Sequence, residues 1–184
     1  MKSPQSDKKR AAANKHDDRK GARKGDRGSK AASSPKTTTA GKPPVVAFPK
    51  KNQPPAAAAF AARLPLTLGK RFEMARSFLL RQEEVKEEVH FYGPKTGWAL
   101  RYLHDRRPLC SLVLHGDLPV GIVSLDAPSF AAVDWKALSS VGQLARKNAH
   151  GSPSLLWIDV PLAGSGAADF KAILRVKLAS LAKP

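Results

Sequence analysis

The chain has 184 residues, a formal net charge of +17 and one cysteine. This length suits one ordinary domain, the lone Cys110 excludes an intrachain disulfide framework or a Cys-rich zinc site, and no run approaches the ~18 apolar residues of a membrane span. The positive excess points to acidic partners, with nucleic acid, anionic membrane surfaces and acidic proteins as the classes to weigh.

The charge is concentrated at the N-terminus. Residues 1–51 hold 15 Lys or Arg against 4 Asp or Glu, a net +11, and the remainder holds +6. Met1-Lys2-Ser3-Pro4 leads into Lys8-Lys9-Arg10 without the apolar stretch of a secretory signal, so a reducing, cytoplasmic location is expected. Residues 1–64 read as a disordered basic arm and linker. They are Lys, Ala, Ser, Pro and Gly with no aromatic before Phe48, too little apolar surface to offset chain entropy. Lys8, Lys9, Arg10, Lys15, Arg19, Lys20, Arg23, Lys24, Arg27 and Lys30 are its candidate polyanion contacts. Pro43-Pro44, Pro54-Pro55 and the run Ala56 to Ala59 predict a semi-stiff linker, which puts the folded domain at 65–182.

Phe72, Ala75, Phe78 and Leu79 recur at helical spacing and predict an amphipathic helix over 69–88, with Glu83, Glu84, Glu87 and Glu88 on or just after its solvated face. A short strand 89–92 ends at Gly93-Pro94. Strands follow at 98–103, 109–114 and 120–125, joined by turns at 105–108 and 115–117, giving an antiparallel meander of three or four strands. Asp134 caps a predicted helix carrying Trp135, Leu138, Val141, Leu144 and Ala145, stopped near Lys147-Asn148 and Gly151. A strand at 155–160 precedes a last helix capped by Ser165, with Phe170, Ile173, Leu174, Leu178 and Leu181 as its apolar stripe. The expected class is α+β, a small antiparallel sheet packed with about three helices behind a long basic arm.

No catalytic constellation, metal cluster or cofactor motif is expected. Gly93-Pro94-Lys95-Thr96 lacks the glycine spacing of a phosphate loop and leads into a strand where that loop needs a helix. His16, His90, His104, His115 and His150 form no metal-binding pair at helical spacing, and Cys110 sits in an apolar strand as a small hydrophobe. Lys177 reads as a solvated residue or a helix C-terminal charge. The segment that stands out is Phe91 to Trp98 with Arg101, where Tyr92, Lys95, Trp98 and Arg101 combine rings and cations suited to a shallow ligand cleft.

Tyr92-Gly93-Pro94-Lys95-Thr96-Gly97-Trp98 resembles the Tyr-Gly-x-Lys-x-Gly-Trp motif of an uncharacterised bacterial domain family, distantly similar to YdhG-like domains. That family also ends on a helix with a Leu/Lys element, similar to Leu174-Arg175-Val176-Lys177. The resemblance covers roughly residues 65–182. It implies a small α+β fold and no particular reaction.

The leading expectation is a non-enzymatic binding protein whose arm contacts DNA or RNA through phosphates, without reading sequence. The alternative is a domain that binds a small molecule, peptide or protein partner through 91–102, with the arm a solubilising or localising tail.

Overall fold

Tight turns between apolar runs build the first part of the sheet. The computed structural model describes residues 46–182. In it β1 (Val85–Phe91), β2 (Trp98–His104), β3 (Arg107–His115) and β4 (Leu118–Asp126) form an antiparallel meander. Asp105 and Arg106, between β2 and β3, both take positive φ, 45° and 63°. That two-residue turn has the twist that flanking strands demand. β6 (Leu155–Pro161) pairs antiparallel with β4, and β5 (His150–Ser152) pairs with the far edge of β6. The sheet order is β1-β2-β3-β4-β6-β5, and the α+β class is as expected.

Helices α1 (Ala57–Ala62), α2 (Leu66–Leu80) and α5 (Gly166–Leu181) supply the apolar layer. Phe72, Ala75 and Leu79 of α2 and Phe170, Ile173 and Leu174 of α5 are fully buried in one cluster with Leu100, Tyr102, Leu112, Val123, Ile158 and Val160 of the sheet. Each large apolar side chain removed from water in this way contributes about 1.5–3 kcal/mol. Helix and sheet approach closely at Gly121, where a Cβ would lie 2.3 Å from the Phe170 ring. Glycine is what lets α5 sit directly on β4.

Several element boundaries differ from the sequence reading. The first long helix ends at Leu80, not near 88, because Glu84 turns the chain at φ 58 and Val85, Glu87 and Val89 then alternate as a strand. The helix expected from Asp134 is divided. Asp134 caps only the 3-10 turn Trp135–Ala137; Leu138 is extended, and the Ser139 hydroxyl accepts the Val141 N–H at 3.2 Å to start α4 (Ser140–Lys147). An additional helix, α3 (Ala127–Ala132), begins at Asp126, whose carboxylate accepts the Ser129 N–H at 2.8 Å. Gly151, read as a helix stop, lies within β5. Ser165 occupies the N-cap of α5 without capping it; its hydroxyl donates to Ser139 Oγ at 2.7 Å. The group that holds these two helix starts together is Asp169, 5% exposed, which accepts from Ser139 N at 3.1 Å and Gly142 N at 2.9 Å. It satisfies backbone donors that the start of α4 leaves without helical partners.

The domain also begins before Pro65. Val46 bridges to His115, and Phe48 O accepts the Trp98 N–H at 3.1 Å. Phe60 is fully buried between Phe48, 4.9 Å away, and Phe72, 6.3 Å away. Residues 46–64 are therefore part of the fold, and Ala57–Ala62 is helical where a linker was expected. The ten candidate polyanion contacts from Lys8 to Lys30 lie outside the described residues.

Phe60→Ala should cost about 3–5 kcal/mol, the usual loss for truncating a buried ring. Urea denaturation measures it, and unchanged stability would put residues 57–62 outside the cooperative unit.

Candidate binding face

Strand alternation sends one set of side chains to the helices and the other to the opposite face. On that second face, cross-strand pairing sets Arg101, Ser111, Ile122 and Asp159 in one row across β2, β3, β4 and β6. A neighbouring row holds Ser124, Trp157 and His150. Ala99, Val113, Val120 and Ile122 form a small apolar cluster separate from the main core. A cavity of about 430 Å³ is lined by residues from Tyr92, just beyond β1, to His150 on β5. Flat, those strands would span about 24 Å, so a shared cavity means that the face is concave.

The structure divides the four residues proposed for a cleft. Tyr92 and Arg101 line the concavity. The Tyr92 hydroxyl is hydrogen-bonded to Ser111 Oγ at 2.7 Å, and Arg101 donates from Nε to Glu88. Lys95 is exposed at the turn between β1 and β2. Trp98 belongs elsewhere: its ring packs 5.3 Å from Phe91 and its indole N–H donates to Lys50 O at 2.8 Å. Gly97, at φ 76, lets the 46–48 segment approach, since a Cβ there would come 2.5 Å from Phe48 O. The Gly-Trp half of the motif thus seats the start of the domain, while Tyr92 serves the concave face.

The paired glutamates have opposite duties because they are consecutive on a strand. Glu88 holds Arg101 on the concave face. Glu87 faces the helices, accepts Arg76 Nε at 2.8 Å and Nη2 at 2.9 Å, and accepts the Tyr102 hydroxyl at 2.7 Å. Both belong to β1 and not to the helix that the sequence reading extended to 88. Burial pulls the Glu87 carboxyl upward, but its bonds from Arg76 and Tyr102 outweigh this and hold it below the ordinary carboxylate range. Burial and then the bond to Glu87 push the Tyr102 phenol far above its usual value.

Burial also raises the Cys110 thiol, which favours the packed thiol over a thiolate nucleophile. Lys177 is not solvated as expected. It is 8% exposed, and burial lowers its ammonium pKa against the opposing pull of Asp126. Among the described residues there is no group of three or more His, Cys, Asp or Glu placed to hold a metal ion, and no helix is long and apolar enough to cross a membrane.

Ser111, Ser124, His150, Trp157 and Asp159 were not singled out from the sequence. Period two was the available signal, since Trp157 and Asp159 alternate with Leu156, Ile158 and Val160 in β6. No protein-family model, curated protein or solved structure matches this chain.

Removing Glu87 leaves Arg76 and Tyr102 without their shared acceptor, so Glu87→Ala should cost about 1–3 kcal/mol. Because the folded-state pKa of Glu87 is depressed, its contribution is present above the unfolded carboxyl value of about 4.3 and fades as pH falls through the folded value. Denaturation at neutral and acidic pH should therefore show a larger acid loss for the native chain than for Glu87→Gln. Equal losses would remove Glu87 as an acid-sensitive clamp.

Proposed function

We propose that this domain is a binding module whose ligand site is the concave face of the sheet. The observation that carries this reading is the cavity of about 430 Å³ in which Tyr92 and Trp157, 43% and 39% exposed, stand with Arg101, Ser111 and Asp159. Small-ligand sites fall in the range of roughly 300–1,000 Å³ and combine apolar walls with a few placed polar groups. Exposed rings are available for stacking on a ligand without first being drawn from the core. A fragment screen by amide NMR tests the assignment. Resonance shifts should cluster at Ser111, Ser124 and Trp157, and Trp157→Ala should abolish them while leaving the protein folded. Shifts confined to other surfaces would contradict it.

A second reading rests on a separate observation, the net +11 of residues 1–51. It makes the N-terminal segment a sequence-independent contact for DNA or RNA. Roughly 5 to 8 phosphate contacts would give a log affinity against log salt slope of about −5 to −7 for duplex DNA. Since the fold starts by residue 46, the informative deletion is 1–45, which should abolish most of that slope. Equal slopes for both chains would transfer any DNA binding to the folded domain.

A further inference from the structure

Resting on that binding face, we infer that its Asp159 end selects a planar nitrogen heterocycle presenting adjacent N–H donors, an amidine-like edge. Asp159 and Trp157 stand two residues apart on β6, on the same face, and both line the cavity. Asp159 Oδ1 is shut off from water and has no hydrogen-bond partner among the described residues. A buried acceptor oxygen left without a donor is costly, and a ligand that donates to it recovers the lost bond. A turn of the carboxylate about its soft Cβ–Cγ torsion brings the enclosed oxygen toward the cavity that Asp159 lines, where a pair of parallel donors can engage both oxygens. The Trp157 ring, with His150 stacked 6.3 Å from it, supplies a flat wall for a planar ligand. The other charged end does not compete for the role. Arg101 lies three strand spacings away, roughly 14 Å, and is already engaged by Glu88. An unpaired acceptor discriminates strongly against ligands that lack the matching donor, more than a hydrophobic wall can.

The test compares 2-aminobenzimidazole, 2-methylbenzimidazole and benzimidazole-2-carboxylate on the full chain, with affinity from calorimetry and location from amide NMR. The amino compound should bind at the concave face at least tenfold more tightly than either analogue, and Asp159→Asn should erase that preference. The free Asp159→Asn protein should melt at the same temperature as the native chain or higher, because Oδ1 has no hydrogen bond to lose. A carboxylate with a purely structural role would give a lower melting temperature instead, and that result overturns the inference. Equal or tighter binding of the methyl or carboxylate compound at the same face overturns the donor preference and leaves the binding face standing. Failure of all three to bind overturns the inference, and the fragment screen then decides the face separately.

Discussion

A strand turns alternate side chains to opposite faces, so the apolar surface that seats α2 and α5 dictates which positions are left for polar chemistry. Leu112, Val123, Ile158 and Val160 are committed to the helices. Their neighbours Ser111, Ile122, Ser124, Trp157 and Asp159 are thereby committed to the other side. A one-residue slip in a strand would exchange the two sets, and in β6 it would turn Asp159 toward the helices. The register is pinned where glycine and aromatic meet, at Gly121 under Phe170, and by the partly buried cluster of Arg76, Glu87 and Tyr102 at the β1 end. The polar cluster ties α2 to the edge of the sheet, so helix packing and the position of Arg101 on the concave face are linked through β1.

The same constraint explains which features were legible in the sequence. The meander was readable because β3 and β4 are continuous apolar runs bounded by Asp105-Arg106 and Gly116-Asp117. The last helix was readable from the Phe170, Ile173 and Leu174 spacing. β1 was mostly lost because Val85-Lys86-Glu87-Glu88 continues the charge pattern of α2, and only the positive φ of Glu84 separates them. Residues 46–64 were lost for another reason. Their composition is that of a linker, and Phe60 becomes a core residue by packing against Phe72 of α2, with the partly buried Phe48 on its other side. β5 has three exposed residues and carries no apolar signal of its own.

Of the four residues proposed for a cleft, Tyr92 and Arg101 reach the concave face and Trp98 does not. Clustering in sequence suggested a common site, but Trp98 opens β2 opposite Phe91, on the side where the 46–50 segment lies, whereas Arg101 is three residues on and faces the other way. The rest of the concave surface comes from β3, β4, β6 and β5, whose union depends on long-range pairing that no local motif reveals. The binding reading therefore draws its strength from the assembled face and not from the motif that first attracted attention.

The division of the sheet into a covered and an open face can be measured directly by thiol labelling. Val123 and Ser124 are adjacent on β4, one fully buried beneath the helices and the other lining the cavity. With Cys110 left in place as a buried reference, Ser124→Cys should react rapidly with a maleimide under native conditions, and Val123→Cys only at the rate of unfolding. Comparable native-state rates at the two positions, or faster labelling at 123 than at 124, would contradict the assignment of the faces and with it the binding site.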